Sequence, residues 1–250
     1  MEPRALLHRL DEIGRSLEGS DHALAVIGLG SVGLERERLD AYSDLDFFVI
    51  VEPGYGRAYL DNLDWLSAVG PIAYSFQNTG DGYKVLFADG IFCEFAVFEP
   101  QQLAKIPFSP GRIVWKQPQV SDEIGRPAKA AEPPAKPDRD WLLGEVLTNL
   151  YVGLGRERRG ETLAAMRLIQ VHAVDRLLDL AALVEVEQSA PRDVFANERR
   201  FEQRYPHMVD VLADWAQGYA RNRESALNIL AFLEQHFEIN AAMAAAIRNV

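Results

Sequence analysis

The stretch ALAVIGLGSVGLERERLDAYSDLDFFVIVEP, residues 23–53, decides how this chain is read. Its first six residues, ALAVIG, are an apolar run of strand length that ends in a glycine-rich turn. A second strand is predicted from Ser43, opening on Asp44 and Asp46 and stopped by Pro53-Gly54. Residues two apart on a strand point to one face, so both aspartates share a face that continues with Phe48 and Ile50. Two carboxylates this close repel each other, and burial would sharpen the conflict. A divalent cation removes it. Mg²⁺ takes one or two carboxylates and completes its shell with substrate phosphate oxygens and water.

Gly28-Leu29-Gly30-Ser31-Val32-Gly33 also spells G-x-G-x-x-G after a strand, the dinucleotide-binding fingerprint. That fold needs an apolar-faced crossover helix next and an acid at the end of the following strand. Here the connection is LERERLDAYS, too short and too polar for such a helix, and the acids open the second strand. The turn is therefore read as a phosphate cradle, with Gly30 giving close backbone approach and Ser31 one hydroxyl.

Outward from this stretch, Leu6, Leu7, Leu10, Ile13 and Leu17 recur at helical period. Residues 57–68 are helix-like. Strands are predicted at 72–78, 83–88 and 91–98, with Asp89-Gly90 as a hairpin turn. The last strand, IFCEFAVF, carries Glu94 among apolar residues. A third carboxylate facing the aspartate pair would ligate metal or take a proton from an attacking hydroxyl. Cys93 falls on the opposite face and reads as a small buried hydrophobe.

Residues 124–140 are rich in proline and alanine and poor in large apolar residues, which marks a linker. Everything after it looks helical. Trp141, Leu142, Val146, Leu147, Leu150, Tyr151 and Leu154 form one stripe, with Asp138 or Asp140 as N-cap. Met166, Ile169, Val174, Leu177 and Leu178 lie in a second helix, and 206–220 and 223–248 suggest two more. The expectation is an α+β chain: a catalytic domain with a mixed sheet over 1–125, a linker over 126–140, and a helical bundle over 141–250.

Composition bounds the function. The net charge of -11 over 250 residues argues against a nucleic-acid surface, which needs clustered Lys and Arg. It is compatible with a nucleotide held through metal. The lone cysteine excludes an internal disulfide and points to a reducing cytoplasmic setting. No stretch reaches the length of a membrane span. The five histidines are scattered, and His172 reads as a hydrogen-bonded core or cleft residue. Arg156, Arg158 and Arg159 read as a solvated helix end. An exposed apolar stripe on the bundle would suit a homodimer.

Gly30-Ser31, twelve residues, then Asp44-x-Asp46 in a hydrophobic strand resembles the signature of the DNA polymerase β-like nucleotidyltransferase superfamily. The acidic strand FCEF, the proline-containing stretch and NLYVGLGRERRGETLAAMRLIQ (149–170) are similar to the lincosamide and aminoglycoside antibiotic branch. The resemblance implies transfer of a nucleoside monophosphate from a magnesium-bound triphosphate, ATP foremost, to a hydroxyl of a small molecule. Two Mg²⁺ ions are implied. Gly30 and Ser31 would hold phosphates, Asp44 and Asp46 would bind metal, and Glu94 would be the third metal-binding carboxylate and a candidate base. The connection VGLERERLDAYS is two residues longer than the lincosamide pattern. The other expectation for this fold is an antitoxin-like protein, or one that transfers the nucleotide onto a protein partner.

Overall fold

The computed structural model describes residues 2–128, 138–193 and 196–250. The chain divides into two compact units, Met1–Ala131 and Glu132–Val250. The linker expected over 126–140 falls largely on residues 129–137, outside the described ones.

The first unit is a six-stranded sheet with helices. Helix α1 (Pro3–Glu18) starts at a proline that needs no hydrogen-bond partner there, and buries Leu6, Leu10, Ile13 and Leu17. Strand β1 (Ala23–Gly28) follows, then β2 (Leu45–Val51). The predicted helix at 57–68 is two short ones, α2 (Gly56–Asp61) and α3 (Asp64–Ser67). The Asn62 side chain accepts from the Asp64 amide at 2.8 Å, a local bond that competes with a continuous helix. Strands β3 (Ile72–Gln77), β4 (Gly82–Phe87) and β5 (Phe92–Phe98) form as expected. Gly90, with φ +88°, turns the β4–β5 hairpin, and the Phe87 amide closes it on the Ile91 carbonyl. A short α4 (Pro100–Leu103) precedes β6 (Arg112–Lys116), a strand that patterning leaves unassigned.

Sheet order is β3-β4-β5-β2-β1-β6. Strands β2 and β5 are parallel, and the other neighbours are antiparallel. One face packs Phe47, Val49, Val85, Cys93, Phe95 and Val97 with the stripe of α1 and with Leu60 and Leu66 of α2 and α3. The opposite face is covered only in part, where Ile27, Ile50, Phe98, Leu103 and Phe108 cluster. The rest of that face, over β2 to β3, carries Asp46, Glu94 and Lys84 beside exposed Tyr74, Phe76, Leu86 and Phe92.

The second unit is helical. Asp138 caps α5 (Arg139–Arg158), its carboxylate accepting from the Trp141 amide at 3.2 Å. Gly153 lets α5 approach the next helix closely: a Cβ there would sit 2.6 Å from Ile169 Cγ1. That helix runs as α6 (Thr162–Met166), a π-helical turn (Arg167–Ala173) and α7 (Val174–Leu180). Then come α8 (Phe201–Arg204), α9 (Val209–Trp215), α10 (Asn222–His236) and α11 (Ala241–Asn249). The predicted 223–248 helix is thus two helices, with Asn240 capping the second. The predicted 206–220 helix ends early, before Gly218 at φ +98°. Trp141 and Tyr151, placed in the core stripe of α5, are exposed, and so is His172. Among the described residues, no helix is long and apolar enough to cross a membrane.

Arg204 is fully buried in this unit, its guanidinium 5.7 and 5.4 Å from the ring centroids of Phe201 and Tyr205. It donates to Glu187 Oε1 at 3.1 Å and to Asn197 Oδ1 at 2.9 Å. Burial alone would push the Glu187 carboxyl up, but the Arg204 hydrogen bond and charge, aided by Tyr205 and Arg192, outweigh it and hold it below the ordinary 4.5. A depressed folded-state pKa contributes stability above the unfolded value and loses it as pH falls through the folded one. Glu187→Gln is therefore expected to lower the melting midpoint at pH 7 and to flatten its decline in the window below pH 4.5. Parallel melting curves of the two proteins through that window would contradict the pairing.

Candidate active site

Register builds this site. In the parallel β2–β5 pair Asp46 lies opposite Glu94. In the antiparallel β4–β5 pair Glu94 lies opposite Lys84, and in β3–β4 Lys84 lies opposite Phe76. Directly opposed residues share a face, so Asp46, Glu94, Lys84 and Phe76 form one row across four strands. One step along, Phe48, Ala96 and Gly82 form the next row.

On that side of the acids lies a cavity of about 470 Å³. Asp46 and Glu94 stand in its lining with Asn78, Thr79 and Gly82, over Phe48, Ala96 and Phe98. The Phe48 ring is fixed edge-on by Phe98 and Phe108, with centroids 5.1 and 5.5 Å away. Gly82 keeps the wall thin, because a Cβ there would lie 3.0 Å from the Phe95 carbonyl oxygen.

The glycine turn is brought to the acids by strand direction. Strand β1 runs antiparallel to β2, with Gly28 opposite Phe47, so the end of β1 meets the start of β2. The Leu29 amide donates to the Asp46 carbonyl at 2.8 Å. Residues Gly30–Val32 form a single 3₁₀ turn, in which Gly30 has φ +50°. The Gly30 carbonyl accepts from the amides of Gly33 and Glu35, both at 3.1 Å. Gly30, Ser31, Asp44 and Asp46 thus gather at one end of the sheet. The same topology removes the dinucleotide reading. That motif needs parallel strands joined by a helix, and here the strands are antiparallel with only short 3₁₀ turns between them.

Glu94 is placed in the row but is already engaged. Its Oε2 lies 3.2 Å from Lys84 Nζ, and its Oε1 accepts from Asn78 Nδ2 at 3.0 Å. Among the described residues, no three His, Cys, Asp or Glu side chains group so as to hold a metal. Asp44 and Asp46, both partly buried, are a donor set of the kind Mg²⁺ accepts when the remaining ligands come from phosphate. Lys84 balances the Glu94 charge across the β4–β5 pair.

Cys93 reports on the acids from the far face. Burial pushes its thiol up to about 12, the charges of Asp46 and Asp44 add to that, and Arg9 opposes it. The native thiol is expected to resist alkylation at pH 8 and to react once the first unit unfolds. Rapid labelling of the folded protein would contradict its placement.

No family model and no curated protein sequence matches this chain. Among solved structures, an aminoglycoside 6-adenyltransferase from Bacillus subtilis is similar at 13% identity, over 96% of this chain and 89% of that one. The TM-score is 0.36.

Two site residues escaped the sequence reading, Lys84 and Asn78. A lone lysine in the strand YKVLFA is the same kind of signal as the lone Glu94, but only the register joins the two. Asn78 Oδ1 is buried without a hydrogen-bond partner at the cavity wall. Three arginines of the second unit are held locally: Arg156 by Glu161 at 2.8 Å, Arg199 by Asp193 at 2.9 Å, Arg200 by the Pro191 carbonyl at 2.6 Å.

Proposed function

We propose that this chain is a nucleotidyltransferase that moves a nucleoside monophosphate from a magnesium-bound triphosphate, ATP foremost, to a hydroxyl of a small molecule. The observation that carries the reading is the row itself. Asp46 faces Glu94 in register, over a cavity, at the sheet end where the Gly30-Ser31 turn closes.

In this reading Asp44 and Asp46 hold Mg²⁺, and the turn contacts the phosphates through Ser31 and backbone amides. The bound metal would neutralise charge on the α-phosphate and on the departing oxygen. Glu94 takes the proton of the acceptor hydroxyl, kept in place by Lys84 and Asn78. The hydroxyl oxygen bonds to the α-phosphorus as the bond to the bridging oxygen breaks. Pyrophosphate leaves with that electron pair.

The test is pyrophosphate release from ATP or GTP with Mg²⁺ across a panel of hydroxyl-bearing antibiotics and glycosides. Release that requires both metal and acceptor is expected. Absence of turnover together with absence of nucleotide binding would sink the reading. Nucleotide appearing on a protein partner would redirect it to protein modification.

A further inference from the structure

On the other side of the acid row the sheet is apolar and open. Phe92 lies opposite Leu86, and Leu86 opposite Tyr74, one row before Glu94–Lys84–Phe76. Leu45 opposite Cys93 places Asp44 at the end of this same row. Tyr74 is 56% exposed, Phe76 52%, Leu86 36% and Phe92 36%. Singly exposed hydrophobes are ordinary, but four large ones adjoining in register are a patch. Neighbouring rows on one face are about 7 Å apart along the strand. A ring seated on Phe92 and Leu86 would therefore hold its substituents over Glu94.

We propose that Tyr74, Phe76, Leu86 and Phe92 form the platform for the acceptor, and that it takes a hydroxyl carried on a neutral, ring-bearing framework rather than a polycation. This rests on reading the acid row as the reaction centre. Charge supports the choice of occupant. The four platform residues bring no carboxylate, and Lys84 stands at its border with a cation already 3.2 Å from Glu94. A polycation finds no carboxylate among these four residues, and the Glu94 charge beside them is already matched by Lys84. An apolar ring gains contact with exposed aromatic faces and desolvates no charge.

The experiment titrates two probes into the full chain with Mg²⁺ and ATP present, watching the Leu86 methyl signals by NMR. One is 4-methylumbelliferyl glucoside, a neutral glycoside on a flat ring. The other is kanamycin, a polycation. The glucoside is expected to shift Leu86. Phe76→Ser and Phe92→Ser are each expected to weaken it about tenfold, the scale of one lost ring contact. Kanamycin is expected to leave Leu86 unmoved. Magnesium–ATP binding is read separately on each protein. If wild type fails to bind nucleotide while the glucoside still seats on Leu86, the transfer chemistry falls and the platform stands. Preferential kanamycin binding, no Leu86 shift up to about 10 mM glucoside, or a dimer that the serine variants dissolve would each overturn the platform.

Discussion

Asp46→Asn is expected to lower the rate of nucleotidyl transfer by at least roughly a thousandfold, the upper range for removing one charge-stabilising group, and to leave the fold intact. The substitution keeps shape and removes charge. Asp46 is partly buried, and its backbone is held by its place in β2 and by the Leu29 amide bond to its carbonyl. What is lost is half of the aspartate pair, so the metal would keep one carboxylate and bind far more weakly. Pyrophosphate release measures the first effect and thermal melting the second. Glu94→Gln should cost less, about a hundredfold or more, the scale of one general base. A fully active Asp46→Asn protein would remove the metal from this site.

The largest expected stability effect lies in the turn. A Cβ at Gly33 would sit 2.5 Å from the Gly28 carbonyl oxygen and 2.8 and 2.9 Å from backbone carbons of Leu29. All three are main-chain atoms, so no side chain can swing away. Gly33→Ala is expected to cost about 3 kcal/mol, at the severe end for overpacking. It should also weaken nucleotide binding, because the turn must open. Gly30→Ala is the contrast. A Cβ there meets nothing within 4 Å, and only the φ of +50° resists, worth about 1–2 kcal/mol. Denaturant midpoints read both, with Cys93 labelling as the probe that reports the first unit. Equal losses at the two positions would mean the backbone is not packed as described.

The third glycine of G-x-G-x-x-G is thus required by the turn's own packing. That explains how the pattern arises without a dinucleotide. The decision between the readings was available in the polar connection 34–43, which is too short for a crossover helix. Strand direction then settled it. Most of the sheet was legible for the same local reason: apolar runs of strand length between glycine and proline signals. Strand β6 was not, because RIVWK is an edge strand with charges at both ends and little alternation. Its place depends on Gly111, where a Cβ would lie 2.4 Å from Ile27 Cγ2, a contact that appears only after folding.

The site was legible in its acids and illegible in their partners. Asp44, Asp46 and Glu94 are conspicuous because carboxylates are misplaced in apolar strands. Their grouping with Lys84 and Asn78 is a matter of register, which local sequence does not encode. The expected three-carboxylate cluster is correspondingly changed: Glu94 stands in the row but leans on Lys84. Helix ends in the second unit slipped for a simpler cause. Asn240 and Gly218 stop helices whose apolar periodicity runs on past them.

The most direct test is a crystal soaked with Mn²⁺ and a non-hydrolysable ATP analogue, read by anomalous scattering. An anomalous peak bridging the Asp44 and Asp46 carboxylates and the α-phosphate, with the phosphates against Gly30 and Ser31, is the predicted result. An analogue bound elsewhere, or one bound at the turn with no metal on either aspartate, would contradict it.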